Sequence, residues 1–192
     1  RMANDFEDLL RCFEDDAHLP KTVRDASFQS ERLDSLRTRN SAAYKGIHIL
    51  ILRSDSRDWF WKSTIRDLDT DEVNLDIHHI FPKKWCLERE IPAERYDSIL
   101  NKATISYKAN RSIGGEAPSI YVPRLQKRKE VGLDESEMND LLESHALSAT
   151  LLRADAFDNF IEDRRDRLCE LIANAMGKAV SRGMTEDEGG DA

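Results

Sequence analysis

Two adjacent histidines, His78 and His79, close an apolar run of β type, Val73-Asn74-Leu75-Asp76-Ile77, and lead into Ile80-Phe81-Pro82. Neighbouring side chains on a strand project to opposite faces. One imidazole can therefore hold a metal ion while the other faces a different part of a site. Asn110, far downstream at an expected helix start and followed by Arg111, can supply a second, oxygen ligand. Hydrolysis of a phosphodiester needs such parts: a hard cation on the phosphate oxygens, and a base poised near neutral pH to activate water. A histidine pair alone is more often ordinary surface or core structure. The residues downstream of it, Asn101 and Asn110-Arg111, are what turn the reading towards chemistry.

Those residues carry a resemblance. His78-His79-Ile80-Phe81-Pro82 resembles the His-His-x-x-Pro or Asp-His-x-x-Pro opening of the HNH (ββα-metal, His-Me finger) nucleases. Asn101-Lys102-Ala103-Thr104-Ile105-Ser106-Tyr107-Lys108-Ala109-Asn110-Arg111 resembles that family's second half, in which a middle Asn begins a short strand and a final Asn or His follows on the helix. Gly114-Gly115-Glu116-Ala117-Pro118-Ser119-Ile120-Tyr121 extends the likeness towards the C-terminal nuclease domain of GmrSD-like restriction enzymes, which carry a ParB-like nucleotidase domain in front. Arg39-Asn40-Ser41-Ala42-Ala43-Tyr44-Lys45-Gly46, Arg57-Asp58-Trp59 and Leu152-Arg153-Ala154-Asp155 are similar to the same subgroup, so the likeness covers most of 35–178.

The resemblance implies roles. His79 is the expected general base, His78 and Asn110 the expected ligands of a divalent metal. Asn101 is the family's middle Asn, which pins the loop by backbone hydrogen bonds. The cofactor implied is Mg²⁺ or Mn²⁺. His78 stands where many members have Asp, and an imidazole also suits Ni²⁺ or Zn²⁺. Asp76 shares a strand face with His78 and is read three ways: a partner fixing the imidazole tautomer, a direct ligand, or a solvent-exposed carboxylate. The implied reaction is hydrolysis of DNA, leaving 5′-phosphate and 3′-hydroxyl ends. One site per chain makes nicking the default outcome.

Charge supports a nucleic-acid surface only locally. The chain is acidic, at net −8, which argues against a general electrostatic grip on DNA. Across 76–129 the balance reverses, with eleven Lys and Arg against six Asp and Glu. Lys83, Lys84, Lys108 and Arg111 are the expected nucleic-acid contacts, with Arg111 the best placed to hold a phosphate. Lys102 is read first as a solvated surface charge. Arg124, Lys127, Arg128 and Lys129 form a second cluster, read as a possible flank of the DNA path.

At 192 residues and 40% hydrophobic, the chain can bury one good core, or one core with a helical appendage. No apolar run approaches the ~20 residues of a membrane span. Cys12, Cys86 and Cys169 are odd in number and far apart, which fits reduced thiols in a cytoplasmic protein. Cys86 is read as a buried helix cysteine before a zinc ligand. The chain begins at Arg1 and carries no Gly-rich phosphate loop, so it reads as a piece of a longer protein whose nucleotidase or sensor domain lies outside it. An oligomer is compatible with this reading.

The elements that must position the site follow from periodicity. Phe6, Leu9, Leu10 and Phe13 predict a helix over 5–13, capped by Asn4 or Asp5. A second helix is expected over 30–37. Ala43, Tyr44, Ile47, Leu50 and Ile51 predict a core helix over 40–54. Trp59, Phe60 and Trp61 form an aromatic knot, read as core before base-stacking platform. Pro82 and Pro92 open helices over 84–88 and up to 100. A short strand is expected over 101–106 and a helix over 107–112, stopped at Gly114-Gly115. Further helices are expected over 118–129, 136–147 and 155–182, with a disordered acidic tail at the end. The fold class is mainly α, with a small ββα-metal motif embedded between helical layers. The expected segments are 1–72 helical, 73–130 the HNH core, 131–184 helices packing on it, and 185–192 tail.

Two readings of function follow. The first is a metal-dependent DNA endonuclease module, the effector of a restriction or phage-defence protein. The alternative is a non-catalytic DNA-binding or assembly module that keeps the fold around a structural metal. RNA as substrate is a third possibility, less favoured because the expected sheet offers few stacking aromatics.

Overall fold

The first third of the chain is helical. The computed structural model describes residues 2–15, 18–68 and 74–182. Helix α1 spans Met2–Glu14, α2 Lys21–Arg24, α3 Arg32–Ser35 and α4 Ala42–Arg53. Helix α4 starts where the Ser41 hydroxyl accepts the Tyr44 amide hydrogen, and its Tyr44, Ile47 and Ile51 are buried on one stripe. Helix α3 is shorter than the expected 30–37. In α1, Asp5 does not cap the helix, which begins at Met2. Its carboxylate instead accepts the Thr22 N–H at 3.3 Å and the Thr22 hydroxyl at 2.6 Å, tying α1 to α2. The apolar stripe of α1 is helical as expected but does not enter the core, with Phe13 85% exposed.

The ribbon comes next. Strand β1 spans Leu75–His79, helix α5 Lys83–Leu87, helix α6 Ala93–Tyr96 and strand β2 Lys102–Ser106. The strands pair antiparallel, with Ile77 opposite Thr104, His78 opposite Ala103 and His79 opposite Lys102. Opposed residues share a face. Ile77, His79, Lys102 and Thr104 thus lie on one side of the ribbon, and Asp76, His78, Ala103 and Ile105 on the other. Both histidines lie inside the strand, which runs two residues further than the expected run; Val73 is outside the described residues. The helix expected from Pro92 to 100 is instead α6 and a 3₁₀ turn, Ile99–Asn101, so Asn101 precedes the second strand.

Helix α7, Tyr107–Ile113, follows β2 without a loop. The Ser106 hydroxyl accepts the Ala109 amide hydrogen at 3.2 Å to start it. Gly114, at φ +64, ends it where a side chain would be strained. Helix α8 spans Pro118–Gln126, α9 Glu135–Glu143, α10 Ala149–Arg153 and α11 Phe157–Met176. A capping box at Asp134 and Glu137 opens α9, and left-handed Gly177 closes α11 short of the expected 182. Helix α10 is an element that the periodicity did not reveal, being too short to show one. The tail expected at 185–192 lies outside the described residues.

One buried cluster runs from Leu33 to Ile172 and joins all three expected segments. The fold is mainly helical, with a two-stranded antiparallel ribbon. Trp59 is fully buried, its ring stacked near Tyr121 and meeting His145 edge-on. Phe81 sits among Trp85, Phe157 and Phe160, which docks the post-histidine loop onto α11. Thr104 contacts His48 of α4 on one face of the ribbon. Among the described residues, no helix is long and apolar enough to cross a membrane.

Removing the Trp59 ring leaves a large cavity, so Trp59→Ala is expected to cost about 3–5 kcal/mol in urea denaturation. Phe13→Ser should stay within about 0.5 kcal/mol; a loss like that of Trp59→Ala would put α1 in the core. Burial holds the His145 imidazole near a pKa of about 4, against the Arg57 carbonyl, which favours protonation. The unfolded chain takes up this proton near pH 6.5, so the folded state loses stability as pH falls from about 6.5 towards 4. Burial lowers His48 and His78 in the same direction. The melting temperature should fall between about pH 7 and pH 5; a flat profile would contradict this burial.

Candidate active site

Asn101 organises the end of the ribbon. Its side chain is fully buried. Its Oδ1 accepts the Phe81 amide hydrogen at 2.8 Å, and its Nδ2 donates to the carbonyls of Phe81 at 3.0 Å and Tyr96 at 2.9 Å. The Asn101 carbonyl accepts the Ile80 N–H at 2.9 Å, and the Tyr121 hydroxyl donates to the Ile80 carbonyl at 2.8 Å. Both backbone groups of Phe81 are thus satisfied in the interior. Asn101 acts on the loop after His79, as a residue that positions.

The same contacts bring Asp97, next to Tyr96, beside His79. The His79 Nε2 lies 3.0 Å from the Asp97 carboxylate, and the Lys102 ammonium lies 2.8 Å from the same oxygen. Partial burial works against ionisation of Asp97, yet the hydrogen bonds from Lys102 and His79 hold it below the usual carboxylate range. An ionised carboxylate only accepts hydrogen bonds. The His79 Nε2 therefore carries the proton, and Nδ1 is left with its lone pair. Burial lowers the His79 pKa, against the bond to Asp97, which raises it. Lys102 is not a solvated surface charge: it is mostly covered and also donates to the Arg37 carbonyl at 2.7 Å. The sequence did not single out Asp97, since a lone carboxylate eighteen residues from His79 carries no motif.

His78 lies on the opposite face of the ribbon. Its Nε2 is buried without a hydrogen-bond partner, and burial depresses its pKa to about 4, with His79 adding to the effect. Asp76, exposed, accepts the neighbouring Ile77 N–H at 2.8 Å and makes no bond to His78. Asn110 is half-buried on α7, the helix that packs on both strands, and its amide has no partner among the described residues. A neutral imidazole with an orphaned nitrogen and an unengaged amide oxygen fit a divalent cation that keeps several waters. Among the described residues no three His, Cys, Asp or Glu gather into a metal-binding group. The Cys86 thiol is buried, pushed up to about 12 by that burial, and donates to the Phe81 carbonyl, as a structural cysteine does.

The expected nucleic-acid contacts separate into groups. Lys83 and Lys84 are exposed at the start of α5, and Lys84 lies 3.9 Å from Glu88. Lys108 and Arg111 are exposed on α7, over aromatic rings. Arg124 leaves the proposed flank: it pairs with Glu116 and donates to the carbonyls of Ser112 and Ile113, capping the end of α7. The aromatic knot divides, with Trp59 in the core and Trp61 39% exposed beside Lys108.

No family model matches the chain. An uncharacterized protein of Methanocaldococcus jannaschii is 26% identical over 195 aligned residues, covering 90% of this chain and 33% of that protein. The chain thus spans about a third of the length of this relative.

Asn101→Ala would strand the Phe81 amide and two carbonyls in the interior, with an expected cost of about 3 kcal/mol or more. Urea denaturation measures it. A loss under about 1 kcal/mol would mean that the loop does not depend on this amide.

Proposed function

We propose that this chain is a metal-dependent DNA endonuclease module of the HNH type that nicks phosphodiester bonds. The observation that carries this reading is the end of the ribbon: a base-competent His79 oriented by Asp97 on one face, and an unpartnered His78 on the other. The ribbon followed directly by α7 supports it, as does Asn101 in the loop-pinning role that the resemblance implies.

In this mechanism His79 takes a proton from the attacking water at Nδ1. Asp97 holds the ring in that tautomer through Nε2 and stabilises the imidazolium once it forms. Lys102 keeps Asp97 ionised and in place. His78 and Asn110 would hold a divalent cation, Mg²⁺ or Mn²⁺ first. When bound, that cation supplies charge stabilisation at the phosphate and at the leaving 3′ oxygen. Arg111, beside Asn110, contributes a fixed positive charge for the phosphate. Given the resemblance, the module is the effector of a restriction or phage-defence protein, acting with a nucleotidase or sensor domain.

Supercoiled-plasmid nicking tests this. Wild type should relax plasmid with Mg²⁺ or Mn²⁺ and not with EDTA, and His79→Ala and Asn110→Ala should each lose at least about 100-fold. Asp97→Asn should lose about 10- to 100-fold through the misplaced proton. Equal nicking by all the variants would overturn the assignment. DNA retention without cleavage by wild type would favour the non-catalytic binding module.

A further inference from the structure

Helix α7 carries a second feature. Lys108, Arg111 and Ser112, together with Phe60 and Arg128, line a pocket of about 370 Å³. Three cations face this space and no carboxylate lines it. Within the chain none of the three has an ion-pair partner among the described residues. Arg124, Arg165, Arg167 and Lys102, by contrast, each meet a carboxylate.

Aromatic faces hold two of these charges instead. The Lys108 ammonium lies 4.2 Å from the Trp61 ring centroid and 5.5 Å from that of Phe60, and the Arg111 guanidinium lies 5.6 Å from that of Tyr107. A ring quadrupole restrains a cation without neutralising it, so the charge stays available to an incoming anion. The aromatic turn is itself fixed. The buried Asp58 carboxylate accepts the amide hydrogens of Phe60 and Trp61, both at 2.9 Å. It also accepts the Ser106 amide hydrogen at 2.6 Å and the Ser106 hydroxyl at 2.9 Å, at the start of α7. Asp58 thereby locks the rings against the helix that carries Lys108 and Arg111.

We infer that this pocket binds consecutive backbone phosphates of the DNA, the scissile one at Arg111 and its neighbours at Lys108 and Arg128, without reading sequence. The inference rests on the proposed nuclease function and adds Arg128, Phe60 and Trp61 to the residues that seat the substrate. Arg128 is exposed and follows α8, so it extends the cationic surface from α7 on to a second element. Three unpaired cations with no carboxylate suit a polyanion better than a single carboxylate ligand. They would place the strand by its charge.

Equilibrium binding of a labelled duplex tests this, using the full chain in EDTA, two unrelated sequences and a salt titration. Each neutralised phosphate contributes about 0.9 to the slope of log K against log salt on a duplex. Lys108→Gln and Arg128→Gln should each lower that slope by about 0.9 and weaken binding about tenfold at low salt, equally for both sequences. Arg53→Gln, which removes an exposed cation that does not line the pocket, should leave the slope unchanged. Trp61→Leu should weaken binding while retaining all three cations, since Lys108 loses its support. Circular dichroism melts check that the variants fold; if one does not, Lys108→Met and Arg128→Met replace it. Slopes equal to wild type in both glutamine variants overturn the inference, as does an equal loss in Arg53→Gln or a wild type that does not bind the duplex. A wild type that nicks plasmid while these slopes stay unchanged overturns the pocket alone. Slope losses in a protein that never nicks overturn the nuclease reading alone.

Discussion

The side-chain amide of Asn101 is the constraint on which the rest of the site depends. It closes two hydrogen bonds with Phe81 and one with Tyr96, all in the interior. A buried amide must satisfy both its donor and its acceptor atoms, and only one geometry does so here. That geometry fixes the backbone directly after His79 and directly before Asp97. The His79–Asp97 contact is therefore a consequence of a bond made elsewhere, between groups that no solvent reaches. Phe81, turned inward by the same contacts, anchors the loop against Phe157 and Phe160 of α11.

Two other buried polar groups extend this logic through the fold. Asp58 joins the aromatic turn at 58–61 to the junction of β2 and α7, with four donors on one carboxylate. Arg164, fully buried on α11, donates to the carbonyls of His145 and Lys102, and so links the last helix to the ribbon and to the turn after α9. Each would be costly if left unpaired. A small ribbon of two strands is marginal alone. These groups, with the apolar cluster around them, are what hold it between helices.

The two adjacent histidines show how alternation creates unequal environments from identical residues. His79 faces a carboxylate and a lysine, and His78 faces an interior with no partner for its Nε2. Both are neutral near pH 7, chiefly because burial disfavours the charged ring. The difference between them lies in their partners. One is oriented by a hydrogen bond, and the other keeps a nitrogen unengaged.

The sequence by itself determined the local elements and the residue types of the candidate site. The apolar run before the histidines and Gly114-Gly115 as a stop located the strands and α7 to within two residues, because such signals act over one turn of chain. The spacing of His78, His79, Asn101 and Asn110 was equally legible. Contacts between distant segments were not. Asp97 meets His79 across eighteen residues, Asp58 meets Ser106 across forty-eight, and neither pairing leaves a periodic trace. The short helices α6 and α10 were missed or merged because so few residues cannot display a period. The stripe of α1 has the right spacing for a core face and remains exposed, since amphipathicity states that a face is apolar and not what covers it. Only the tertiary structure decided which carboxylate meets which imidazole, because that choice is made by chain segments meeting in space.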